Sequence, residues 1–398
     1  MKNIRAVIGA NYGDEGKGLM TDYFCHKAVS DGKSCVGVCT NGGAQRGHTV
    51  ETEDNKRHIF SHFSSGTLCG AHTYLSPLYI LNPMIFATEY SELERDGIKP
   101  YVLGDKNARW SSPFDMILNQ IVEESREDKK HGSCGIGIWE TVYRYRKMRN
   151  IYSLKDFVRL SRADRLGVLK EYRGFMKQRL VEYQIDDFKK WNEIIESERL
   201  LMNFADDAEF LDENVIWTDT DVLNDYSEIV FENGQGLMLD GDSKNVHTTP
   251  SRTGMGDISE MLKSICGEYN LECCYVTRTY MTRHGAGPFE TECGIAKINA
   301  EIRDLTNVYN AHQGHIRYGT IDADKLFERI AADYMGIKGK NTVLSAAVTH
   351  MNETDGKFAA QSADKFGEFI QKFDRMYFSD KKTRDGVRCK AVNPRAEK

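Results

Sequence analysis

Apolar and polar positions along the chain alternate between two periods. "NIRAVIGA" is a short β-type run that ends in the glycine-rich turn "NYGDEGKG". "GLMTDYFCHKAVSDG" follows, with Leu19, Tyr23, Phe24 and Ala28 at helical intervals. The opening therefore reads strand, loop, helix. "SCVGVCTNGG" reads as a second buried strand running into a Gly-Gly loop. Similar runs recur at "EIVFENGQGLMLD", "CCYVTRTYMTRHGAGPF" and "NTVLSAAVTHMN", each ending in a polar or glycine-rich loop. From about Tyr152 to Phe210 the pattern changes: proline is absent, charge is dense and apolar residues fall at helical spacing, which predicts two or three amphipathic helices in an inserted layer. The whole predicts an α/β fold of P-loop-like, nucleotide-binding type, with a large, mostly parallel central sheet. Residues 1–380 are expected to form one domain, with 150–225 a mainly helical insertion and the basic, apolar-poor 381–398 a loosely held tail.

Composition narrows the function classes. A chain of 398 residues that is 40% apolar can bury a substantial core. A net charge of −6, with no basic block in the body, argues against a dedicated nucleic-acid binder and leaves room for a local anion pocket. Ten scattered cysteines without a C-x-x-C pair fit reduced thiols in a cytoplasmic protein. No secretory signal and no run of roughly 18 apolar residues is present, so no membrane association is expected.

Five segments carry candidate chemistry. Gly13-Asp14-Glu15-Gly16-Lys17-Gly18 resembles a phosphate loop, yet Asn11 and Gly18 stand where a Walker A loop has Gly and Ser/Thr. Lys17 can neutralise phosphate there, while Asp14 can hold Mg²⁺ or take a proton; the bland alternative is a tight turn with solvated acids. In "TNGGAQRGHTVE", His48 suits a general acid or a stabiliser of phosphoryl charge, against the alternative of a bystander. "FENGQGLMLDGDSKNVHTTPSRTG" offers Gln235, Thr248, Thr249 and Ser251 to a phosphate or purine edge. "TRHGAGPFETE" brings backbone close to a ligand, with Arg283 structural. In "NAHQGHIRYGTID", His315 and Arg317 are placed to grip an anion.

In this order, these segments resemble adenylosuccinate synthetase. The family's G-D-E-G-K-G is Gly13 to Gly18, and its G-G-x-x-x-G-H-T is Gly42, Gly43, Gly47, His48 and Thr49. Its E-G-A-Q-G appears as "ENGQG" from Glu232, and its T-R-x-G-A-G-P-F-x-T-E runs from Thr282 to Glu292. The resemblance makes 1–380 a catalytic domain and implies a C–N ligase. A nucleoside triphosphate phosphorylates O6 of a 6-oxopurine nucleotide, and the amine of L-aspartate then displaces phosphate. It implies Asp14 as base and Mg²⁺ ligand with the Gly47 carbonyl, His48 as acid and Lys17 on phosphates. Gly13, Glu15, Gly16, Gly18, Gly47, His48, Thr49, Arg317, Thr349, His350 and Asn352 join Lys17 at the triphosphate. Asp14, Gln45, Ser133, Cys134, Arg146, Gln235, Thr248 and Thr249 fall to the purine monophosphate, and Gln313, Gly314, His315 and Arg317 to aspartate. A homodimer with shared sites follows, through an arginine near Arg144 or Arg146.

Departures from the family pattern bear on substrate choice. The guanine-reading T-K-x-D is here Thr349-His350-Met351-Asn352. An amide fits the donor and acceptor edge of adenine and forfeits the carboxylate pair with guanine, so ATP or dATP is expected ahead of GTP. The aspartate loop T-T-G-R-x-R-R is reduced to His312-Gln313-Gly314-His315-Ile316-Arg317, and the phosphate-binding G-T-T-G-R-G-I-G to "GSCGIGIW". The C-terminal S-x-G-P-D-R, which packs on the nucleotide base, is read as having no counterpart. These losses resemble the bacteriophage branch that condenses dGMP with aspartate for 2-aminoadenine DNA, although many phage members replace the loop aspartate that Asp14 retains. The reading places dGMP ahead of IMP, with a non-catalytic purine-nucleotide sensor as the rival of another class.

Overall fold

The computed structural model describes residues 1–243, 247–303, 313–339 and 341–393. Ten strands form one sheet: β1 (Lys2–Gly9), β2 (Cys35–Cys39), β3 (His72–Leu75), β4 (Val102–Asp105), β5 (Ile216–Thr218), β6 (Glu228–Gly236), β7 (Tyr269–Arg278), β8 (Thr342–Thr349), β9 (Arg375–Ser379) and β10 (Val387–Ala391). Their order across the sheet is β10-β9-β8-β7-β1-β6-β2-β3-β4-β5. Every neighbouring pair is parallel except β9 and β10. Central parallel strands are covered on both faces, so they read as nearly continuous apolar runs, and all five residues of β2 are buried.

β1 divides its side chains between two cores. Ile4, Ala6 and Ile8 pack with Phe231 and Tyr275 on one face. Val7 lies on the other, with Leu19, Met20 and Phe24 of the helix α1 (Lys17–Ser30). α1 thus lies against the strand that leads into the glycine turn, which fixes the turn at the C-terminal edge of the sheet. Between β1 and β6 the register slips, from Val7↔Glu232 to Gly9↔Gly236, where the two strand ends splay around the turn.

The charged middle segment folds as helices Leu154–Arg159, Arg162–Glu182, Asn192–Glu196 and Glu198–Asn214. Ser161 and Ser197 cap the two long ones by accepting from the backbone N–H of Asp164 and Leu200. Leu169, Tyr172 and Met176 recur at i, i+3 and i+7 and join Leu201, Phe204 and Leu211 around the buried Trp110 in a separate core. The segment also supplies β5, an edge strand of the main sheet.

Residues 381–393 depart from the loose tail expected of them. β10 closes the far edge of the sheet, and Arg384 reaches the buried Asp22 of α1 at 3.0 and 3.1 Å. Residues 394–398 lie outside the described set. Among the described residues, no helix is long and apolar enough to cross a membrane.

Candidate active site

The glycine turn takes its shape from glycine geometry and from one inward acid. Gly16 sits at φ 95°, and a Cβ there would come within 3.0 Å of Thr349 Cγ2. Asp14 adopts φ 58°, a left-handed conformation that aspartate tolerates better than most residues, and Arg278 Nε donates to its carbonyl at 2.5 Å. Glu15, counted above with the triphosphate residues, turns inward. Its carboxylate accepts from the N–H of Asn11 and Gly13 at 3.0 and 2.8 Å and from Lys17 Nζ at 2.9 Å. It fills the space a side chain at Gly236 would need, lying 2.8 Å from where a Cβ would sit. Glu15 is therefore the turn's internal anion, and it locates Lys17.

A cleft of about 150 Å³ opens beside the turn, lined by Asp14, Lys17, His48, His350, Asn352 and Lys382 among others. Gly16, Gly18, Gly47, Thr49 and Thr349 line it too, so most of the triphosphate set comes together here. Lys381 and Lys382 reach it from the segment after β9.

His48 is fixed from behind by a residue the sequence reading did not single out. Its Nδ1 lies 2.7 Å from Oε1 of Glu232, a fully buried carboxylate on β6 that also accepts from the N–H of Ser65 and lies 3.4 Å from Arg46 Nη1. A carboxylate only accepts, so Nδ1 carries hydrogen. Burial alone would raise the pKa of Glu232, but Arg46 and His48 hold it down to about 2. His48 is held below its ordinary pKa, first by burial and then by Lys17 and Arg46, against the pull of Glu232. Its Nε2 is buried with no partner among the described residues, as are Thr49 Oγ1 and Gln45 Oε1 in the same loop. Three orphaned polar atoms within five residues mark a loop built to meet a ligand.

Asp14 faces His284: Oδ2 and Nε2 are 2.7 Å apart. Burial opposes ionisation of Asp14, yet the hydrogen bond and charge of His284, followed by Arg278 and Lys17, hold the carboxyl well below the usual range. The loop carrying His284 meets two others from the purine set. Ala286 N–H donates to the His131 carbonyl at 3.3 Å, beside Ser133 and Cys134, and the His131 and His247 rings lie 5.1 Å apart, beside Thr248 and Thr249. Gln235 stands at the end of β6, next to the turn. Ser133 is bonded to Asn119 Oδ1 at 3.1 Å.

The arginines are distributed differently from the expectation. Arg144 is wholly buried and bonds Asp115 at 2.8 Å, so it belongs to the core of one subunit, while Arg146 on the same helix is exposed. Arg317, read as an anion grip, is bonded to Glu292 at 2.8 Å and to the carbonyls of Gly285 and Gly287 at 3.1 and 3.0 Å, so it braces the His284 loop. Gln313 and Gly314 are half-buried and His315 exposed just before it. His312 lies outside the described residues.

Among the described residues, no group of three or more His, Cys, Asp or Glu side chains is placed to hold a metal ion. A cation in the cleft would therefore take phosphate oxygens and water for most of its shell, as Mg²⁺ commonly does. Asp14 Oδ1, which no described protein donor bonds, and the Gly47 carbonyl are hard oxygen ligands suited to it.

The adenylosuccinate synthetase family profile matches residues 6–339, and that span contains the turn, His48, Glu232 and His284. The chain belongs to the adenylosuccinate synthetase family. It is a carbon–nitrogen ligase by that membership. Among curated relatives, adenylosuccinate synthetase of Lactobacillus helveticus is 27% identical over 358 residues, covering 84% of this chain and 75% of the relative. That of Phocaeicola vulgatus is 28% identical over 326 residues, covering 79% and 71%. The fully ligated Plasmodium falciparum adenylosuccinate synthetase superposes with a TM-score of 0.67 at 17% identity, covering 97% of this chain and 99% of that one. The cyanophage S-2L succinoaminodeoxyadenylate synthetase, bound to dGMP and dATP, superposes at 0.63 and 15% identity, covering 100% and 97%. The α/β fold with its large, mostly parallel sheet is that of these structures.

Proposed function

We propose that this ligase joins L-aspartate to C6 of a 6-oxopurine nucleotide at the expense of a nucleoside triphosphate. The observation that carries the reading is His48, held at Nδ1 by a buried carboxylate with Nε2 unbonded, in one cleft with Asp14 and Lys17. Binding alone does not require a base and a backed imidazole in one cleft.

In the first step Asp14 takes the N1 proton, O6 attacks the γ-phosphorus and the bond to the β-phosphate oxygen breaks. Lys17 and the turn's N–H groups hold the phosphates. Polyphosphate charge beside His48 opposes the depression of its pKa, and the second proton so gained sits at Nε2, donating to the phosphoryl oxygens while Glu232 holds the imidazolium. In the second step the aspartate amine attacks C6, the C6–O6 bond breaks to release phosphate, and the amine gives up one proton to the departing phosphate. Mg²⁺ on Asp14 and the Gly47 carbonyl would neutralise phosphoryl charge, since Oδ1 has a lone pair for each task.

Asn352 in the cleft supports ATP or dATP as donor, because an amide matches the adenine edge. Exposed Arg146 is free to reach a second copy of the chain, in keeping with a cytoplasmic homodimer that shares its sites. The assay is phosphate release from ATP, Mg²⁺, aspartate and either dGMP or IMP, with dATP and GTP as alternative donors. Purine- and aspartate-dependent release supports the reading. Nucleotide binding with no release would support the sensor alternative.

A further inference from the structure

His284 has no part in the steps above, yet it holds half of the carboxylate that meets the purine. Its imidazole is delivered by a tied-down loop. Arg283 beside it is 2% exposed and donates to the carbonyls of Pro288, Ala286 and His247. Gly285 packs so closely on Gly132 that a Cβ on Gly132 would come within 2.5 Å of its Cα, and Arg317 grips the carbonyls of Gly285 and Gly287. Nε2 lies 2.7 Å from Asp14 Oδ2 and, facing an ionised carboxylate, carries hydrogen. One oxygen of Asp14 is therefore filled, and the other has no donor among the described residues.

The two 6-oxopurines differ in what they ask of that carboxylate. Hypoxanthine offers one donor on this edge, N1–H, and carries only hydrogen at C2. Guanine offers N1–H and the neighbouring 2-amino group, a pair that a carboxylate reads with both oxygens. With His284 in place, Asp14 meets one donor. A 2-amino group must either displace His284 from a charge-assisted hydrogen bond or be buried against a donor without an acceptor.

We propose that His284 sets the purine 2-position specificity, holding Asp14 so that the site favours a 6-oxopurine nucleotide without an amino group at C2. The inference rests on the ligase reading and reverses the purine order read from sequence. The test compares dIMP with dGMP, which share the sugar, in wild type, His284→Val and His284→Gln. Two ratios are measured: kcat/KM with ATP, Mg²⁺ and aspartate, and Kd by calorimetry for each purine nucleotide alone. Wild type should prefer dIMP. H284V should shift both ratios toward dGMP by roughly 10- to 100-fold, and H284Q, which keeps an N–H donor, should shift them far less. If H284V does not fold, His284→Ala replaces it. Unchanged ratios in the donor-less variant, or a wild-type preference for dGMP, overturn the proposal. If wild type binds both purines but turns over neither, the ligase reading falls, and the Kd ratios still decide the role of His284.

Discussion

Replacing Glu232 by Gln removes one negative charge while keeping the size of the side chain. The amide oxygen can still accept from His48 Nδ1, but the amide nitrogen then faces the Ser65 N–H and Arg46, which lie 3.1 and 3.4 Å from Oε2. Two donors are set against a donor, and an imidazolium at His48 loses its counter-charge at Nδ1. The loss of an acid held in its working form predicts a fall in kcat/KM of roughly 10²- to 10⁴-fold, with triphosphate affinity little changed. Stability should fall as well. The Glu232 carboxyl ionises at about 2 in the fold against an ordinary 4.5, so its contribution is fully present above pH 4.5 and disappears as pH falls towards 2. That displacement corresponds to about 3 kcal/mol at neutral pH. Steady-state phosphate release gives the first number. Urea titrations at pH 7 and through the acid range give the second, and E232Q should flatten the acid limb. A folded E232Q enzyme with kcat/KM within a few-fold of wild type would refute the role assigned to the Glu232–His48 pair.

Gly16→Ala should cost about 1–3 kcal/mol in strain at φ 95° against Thr349, read as a lowered denaturation midpoint. Arg144→Met leaves Asp115 buried without its cation and should cost about 3–5 kcal/mol, whereas Arg146→Ala should leave subunit stability unchanged; equal losses in urea titrations would contradict this division. Lys382→Ala should raise KM for the triphosphate with kcat little affected, and no change in KM would place that lysine outside the nucleotide site.

The sequence disclosed what rests on local pattern. β1, the glycine turn and α1 were readable because their periods change within thirty residues, and the insertion because Leu169, Tyr172 and Met176 keep a helical beat. What it concealed depends on contacts far along the chain. Glu232 sits in the run "EIVFENGQG" as one polar residue in mid-strand, and its partner His48 is 184 residues away. The basic composition of 381–398 suggested a free tail, but Arg384 answers Asp22 from 362 residues away and so carries Lys381 and Lys382 into the cleft. Arg144 and Arg146 are two residues apart on one helix, and helical rotation sends the first into the core and leaves the second exposed. By resemblance, Glu15 is counted among the residues at the triphosphate. Its bonds to Asn11, Gly13 and Lys17 show that it stabilises the turn from inside.

The central claim is a phosphorylated purine oxygen, and an isotope follows that oxygen directly. Purine nucleotide labelled with ¹⁸O at O6 is incubated with the protein, ATP, Mg²⁺ and L-aspartate, and the released phosphate is analysed by mass. One ¹⁸O per phosphate, released only when purine and aspartate are both present, is the predicted result. Phosphate without label, or released without the purine, would contradict it.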